Sequence, residues 1–140
     1  MKERESTSSN KINLFPKKTI FVSVTKSMKG AVHGITSATP LVDMARGCWF
    51  VNSNKVNQCE LLVAVNKGFI VDVWEIDKRF PWRTVTPNAI STRVLTNTDH
   101  RRKYCEVKKT IPSQGGLYPR QKISSIPGLG RMYGPVMYNF

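Results

Sequence analysis

The sequence predicts an α+β protein: a small, strongly bent β-barrel of mixed and antiparallel strands with one or two short helices. Three observations carry this expectation. Short runs rich in β-branched residues recur along the chain, as in "TIFVSV" and "ELLVAV". Two such runs, in "CELLVAVNKGFIVDVWEID", flank Asn66-Lys67-Gly68, whose glycine supplies the positive φ angle of a tight hairpin. Helix-start chemistry is concentrated in one place, "SATPLVDMARG", so strands do not alternate with helices as they would in a doubly wound sheet.

Taken in order, residues 1–13 are polar and read as a flexible tail, leaving 14–140 as a single domain. "KKTIFVSVTK" has strand spacing, with Ile20, Val22 and Val24 alternating against Phe21, Ser23 and Thr25. "GAVHGIT" is a glycine-punctuated loop. In the helix that follows, Ser37 or Thr39 can serve as N-cap, Pro40 takes the first helical position and Gly47 closes the C-terminus, giving about two turns. "CWFV" reads as a strand and "NSNKVNQ" as a polar turn. The hairpin strands span Glu60 to Val65 and Phe69 to Ile76. "FPWRTVTPNA" is a proline-bearing connection, and "STRVLT" and "KYCEVKKTI" are short strands. From Ser113 onward the chain is rich in glycine and proline and reads as loop, ending in a strand at "VMYNF".

Charge narrows the function classes. The 140 residues hold 22 Lys+Arg and 9 Asp+Glu, a formal net charge of +13. The excess is uneven: from Arg79 to Phe140 eleven basic residues face two acidic ones, Asp99 and Glu106. Such a field attracts polyanions, whether nucleic acid, acidic protein or anionic lipid. No apolar run reaches the roughly 20 residues of a bilayer span, and the polar start carries no secretory signal, so no membrane association and a cytoplasmic location are expected. Cys48, Cys59 and Cys105 form no CxxC pair, which suits a reducing compartment and argues against a metal site. GxxxxGK[ST], HExxH and H-x-E…PCxxC are all absent, the nine carboxylates are scattered, and Cys105 with His100 is the single nucleophile–base pairing to weigh. The expectation is a protein without catalytic residues, cofactor or metal.

At "ARGCWFV" and "ELLVAVNKGFIVDVWEID" the chain resembles the PUA-like small barrel domains, the group of EVE, ASCH and YTH domains. The shared pattern is a short helix, an Arg-Gly-x-Trp start to a strand and a central hairpin, between Asp43 and Asp77. The closing "GPVMYNF" is comparable to the terminal strand of such domains attached to restriction and other defence enzymes. The resemblance implies a small barrel domain that binds RNA or DNA, often reading a modified or flipped base in a pocket with aromatic walls.

The candidate binding residues follow from chemistry. Under strict alternation Ile70, Asp72, Trp74 and Ile76 share a face, which places a carboxylate beside an indole as in a base-stacking pocket; Trp74 and Trp49 suit a hydrophobic core equally well. Trp82 lies in a connection next to Arg83, either as an exposed stacking platform or as a barrel cap. "DHRRKYCEVKK" gathers Arg101, Arg102, Lys103, Tyr104, Lys108 and Lys109, suited to phosphate contact or to plain solvation. Arg46 joins Trp74 and Trp82 at the expected barrel mouth. The leading expectation is a noncatalytic nucleic-acid-binding protein. The alternative is a small basic phage or mobile-element inhibitor or adaptor that binds an acidic host protein.

Overall fold

The computed structural model describes residues 17–29, 34–36, 38–95, 99, 101–110, 119–126, 129–130 and 132–140, with Lys109 and Thr110 described in backbone alone. The tail expected over 1–13 lies outside the described residues, as do Ser37 and His100. In chain order the elements are β1 (Thr19–Ser23), α1 (Thr25–Met28), α2 (Leu41–Ala45), β2 (Gly47–Phe50), α3 (Ser53–Val56), β3 (Leu61–Asn66), β4 (Phe69–Ile76), β5 (Arg83–Thr84), β6 (Arg102–Tyr104), β7 (Val107–Thr110), a 3-10 turn (Ile123–Ser125) and β8 (Val136–Tyr138).

These strands form two separate sheets, β7-β4-β3-β1-β8 and β2-β6-β5, and no closed barrel. The expectation of a β-barrel is therefore corrected, while the predominance of sheet over short helices stands. The reason lies in the residues of the central strands, which are apolar on both faces. β1 and β3 pair in parallel, Ile20 opposite Leu62 and Val22 opposite Ala64. A parallel pair needs both faces covered. On one face Ile20, Val22, Leu62, Ala64, Trp74 and Ile76 pack with Ala45 of α2, Val56 of α3 and Trp82. On the other, Phe21, Val63, Val65, Ile70 and Val73 are covered by Ile123, Ile126 and Leu129 of the C-terminal segment. The described part of the glycine- and proline-rich segment thus covers this face of the core. The larger sheet is covered on one face by α2, α3 and Trp82 and on the other by residues of the C-terminal segment, so it need not roll up to hide its interior.

Three local readings also change. "NSNKVNQ" contains α3: the Asn52 side chain accepts a hydrogen bond from the Lys55 amide at 3.0 Å, a standard N-cap. "STRVLT" contributes no strand among its described residues. "KYCEVKKTI" breaks at Cys105–Glu106 into β6 and β7, which belong to different sheets. The hairpin forms as expected, with Lys67 (φ 51°) and Gly68 (φ 85°) in its two-residue turn. Its register slips between Ala64 and Val65, leaving Val71 as an extra residue in β4. This bulge moves Ile70 to the face of Val73, so strict alternation with Trp74 does not hold. No helix among the described residues is long and apolar enough to cross a membrane.

Candidate nucleic-acid interface

A cleft of about 1080 Å³ opens where three segments meet: α1 with the β3–β4 turn, the β2–β6 side of the second sheet, and residues 122–124 and 132–135 near the C-terminus. Backbone hydrogen bonds set this convergence. At the end of β1 the Ser23 amide donates to the Pro135 carbonyl and the Val24 amide to the Val65 carbonyl, each at 2.8 Å. The Lys67 amide donates to Thr25 Oγ1 at 3.0 Å, tying the hairpin turn to α1. The Ile123 amide donates to the Gly68 carbonyl and the Ile70 amide to the Gln121 carbonyl, each at 2.8 Å, which holds Lys122 against the same turn. Lysines from three distant parts of the chain thereby line one concavity.

The opposite wall depends on Gly47. A Cβ there would lie 2.7 Å from Tyr104 Cβ and 3.2 Å from Ile90 Cδ1, so only glycine lets β2 lie this close to β6. Arg93 braces this wall from within, its Nη1 donating to the carbonyls of Asp43 at 2.8 Å and Gly47 at 3.0 Å. Burial pulls the Arg93 guanidinium below the ordinary arginine range, and it raises the Cys48 thiol even though Arg93 and Arg102 oppose that rise. Phe50, 48% exposed, carries the Arg102 guanidinium 4.1 Å from its ring centroid and that of Arg101 at 5.2 Å. Arg102 Nη1 donates to the Cys48 carbonyl at 2.9 Å, which fixes the guanidinium in place.

The cleft is lined by Lys26, Lys29, Lys67, Arg93, Arg102 and Lys122, with no Asp or Glu among the described lining residues. Trp49, Phe50 and Tyr133 add aromatic surface, Tyr133 being 88% exposed. Arg93 is buried beside Asp43, and the other five cations, with no Asp or Glu among the described lining residues, concentrate positive potential inside the concavity.

The residues expected to form a binding surface are distributed differently. Trp74 and Trp82 are 4% and 7% exposed and belong to the core, so the aromatic mouth around Arg46, Trp74 and Trp82 does not exist. Trp82 Nε1 is buried without an acceptor among the described residues. Trp49 is half-buried, donates from Nε1 to the Ala45 carbonyl at 2.6 Å and lines the cleft. Asp72 lies opposite Ala64 and accepts from the Val73 amide at 2.8 Å, which leaves it no place in the cleft wall.

Arg46 is structural: it pairs with Asp43 Oδ1 at 2.9 Å and Glu106 Oε1 at 3.1 Å. Glu106 also binds Arg83, and the Tyr104 ring has Arg46 at 5.9 Å and Arg83 at 5.0 Å from its centroid. Of the basic run, Arg102 lines the cleft, while Arg101 forms a two-point pair with Asp99. Lys103 donates to Thr84 Oγ1 at 2.9 Å and Lys108 lies 3.5 Å from Glu75. The Lys109 side chain lies outside the described residues. The run is therefore no single dock, because β6 sends alternate side chains to opposite faces and β7 joins the other sheet.

Cys105 is fully buried, and desolvation holds its thiol above the ordinary range despite nearby Arg46. No group of three or more His, Cys, Asp or Glu gathers among the described residues. No family model, curated protein or solved structure matches the chain.

The lysines of the cleft, Phe50 and Tyr133 were not singled out from sequence. Lys26 and Lys29 at i and i+3, and Lys67 in a hairpin turn, carried weak signals of exposure. Nothing local connected either site to Lys122.

Proposed function

We propose that this chain is a noncatalytic nucleic-acid-binding protein whose interface is the basic cleft. The observation that carries the reading is the lining by Lys26, Lys29, Lys67, Arg102 and Lys122, with no Asp or Glu among the described lining residues, interleaved with Trp49, Phe50 and Tyr133. Lysine and arginine neutralise phosphates, and aromatic faces accept stacked bases. The resemblance of Asp43–Asp77 to PUA-like domains points to the same ligand class, although the barrel of that group is not formed here. Cys105, the nucleophile that the sequence suggested, is buried in the core, which supports a noncatalytic reading. Three buried thiols outside any disulfide suit a reducing cytosolic compartment, where the protein would act.

The test is binding of labelled single-stranded RNA, single-stranded DNA and duplex across a salt series. Nucleic-acid binding gives a straight log–log plot falling by about 0.7 per neutralised phosphate for single strands and about 0.9 for duplex. If micromolar protein binds none of the three at about 100 mM salt, a regime in which nonspecific binders of this charge still associate, the reading fails. The acidic host protein would then be sought by pull-down.

A further inference from the structure

We propose that the cleft takes single-stranded nucleic acid in preference to duplex, holding up to about three nucleotides at a time with a base stacked at Phe50. This rests on the reading of the cleft as the nucleic-acid interface and specifies its substrate class.

Shape is the first argument. Proteins that read duplex DNA present a convex element, an α-helix or a two-stranded ribbon, to a major groove about 12 Å wide. Here the cations line a concavity, and the longest described helix is the five-residue α2. A duplex would touch only the rim, leaving Arg102 and the floor at Val65 and Ile123 out of reach. A flexible single strand can lower its bases inside. Pockets that take one drug-sized ligand run from about 300 to about 1,000 Å³, so the observed 1080 Å³ has room for one and up to about three units of nucleotide size.

The second argument is the platform at Phe50. Its ring is about half exposed on the cleft wall, and Arg102 is already seated against it by the hydrogen bond to Cys48. Aromatic rings and guanidinium planes are the surfaces on which unpaired bases stack, and bases inside a duplex cannot reach them. The third argument is the spread of charge. Lys26, Lys29, Lys67 and Lys122 are all exposed, and none is ion-paired with a carboxylate among the described residues. They lie on the hairpin-turn side of the cleft, across from Phe50, so phosphates can run along one wall while bases face the other.

Trp49 supplies a reporter, because it lines the cleft while Trp74 and Trp82 are sealed in the core. The experiment is a tryptophan fluorescence titration with oligo-dT and oligo-rU from one to eight nucleotides, a blunt duplex, and polyglutamate of matched charge. The expected result is quenching that tightens up to about three or four nucleotides and then levels off, with duplex at least about tenfold weaker. Phe50→Ala, at an exposed position, should weaken every single strand by about 5- to 150-fold, and Trp49→Phe should abolish the signal.

Equal or tighter duplex binding, no plateau with length, or an inert Phe50→Ala overturns the proposal and leaves nucleic-acid binding standing. Equal affinity for polyglutamate overturns it as well, by making the cleft a general polyanion site. Absence of binding to every oligonucleotide and duplex removes the underlying reading itself.

Discussion

Replacing Lys26, Lys29, Lys67 and Lys122 together by alanine isolates the electrostatic part of binding. If each lysine meets one phosphate of a bound single strand, their loss flattens the log–log salt dependence by about 2.8, at about 0.7 per contact. Between 50 and 200 mM salt, wild-type protein should therefore lose about 50-fold more affinity than the variant. The four side chains are exposed, so thermal unfolding should stay close to wild type, within about 0.5 kcal/mol per site. Anisotropy titrations at four or more salt concentrations, with melting curves recorded in parallel, give both numbers. A companion variant, Lys103→Ala with Lys108→Ala, removes two charges outside the cleft wall. It should change the slope by much less than two of the cleft lysines do. An unchanged slope in the quadruple variant, or an equal change from the companion, would refute the assignment of phosphate contact to this cleft.

Further outcomes follow from the rest of the structure. Gly47→Ala forces β2 away from Tyr104 and should cost about 1–3 kcal/mol in denaturant unfolding, with weakened oligonucleotide binding because Arg102 and Phe50 shift with the wall. Trp74→Ala should destabilise by about 3–5 kcal/mol, whereas Asp72→Ala should leave single-strand affinity unchanged; a selective binding loss in Asp72→Ala would restore a role for that face. The hydrogen bond from Arg79 holds the Asp77 carboxyl down to about 2 from its ordinary 3.8. A depressed folded-state value means that this stability is present above about pH 4 and is lost as pH falls toward 2. Asp77→Asn should flatten the acid limb of the stability profile in that window, as read by urea midpoints. Burial pushes the Cys59 thiol up to about 12 and keeps Cys105 protonated, so native protein at pH 8 should resist alkylation at both and react at both once unfolded.

Much of the fold was legible because it is written in local chemistry. β-branched runs, the Lys67-Gly68 turn and Pro40 before Leu41 mark β1, β3, β4 and α2 without reference to anything distant. α3 was hidden because its signal is one capping asparagine and a single buried residue, Val56, in a polar run. The bulge at Val71 was hidden because alternation carries no mark of an extra residue. Trp82 followed the expectation for a connection in sequence but not in space, since the chain there folds back over α3, its amide donating to Asn57 Oδ1 at 3.0 Å.

The sequence by itself determined that the chain is strongly basic, sheet-rich, short of long helices and free of recognisable catalytic motifs. Those properties depend on composition and on contacts between near neighbours. The choice of two separate sheets over a barrel, and of which cations act together, was made only by the tertiary structure. A parallel β1–β3 pairing and the return of the C-terminal segment bring Lys26, Lys67 and Lys122 into one cleft, whereas adjacent residues Arg101, Arg102 and Lys103 turn to different surroundings. Charge adds up in space, and separation along the chain says little about it once strands from opposite ends have paired.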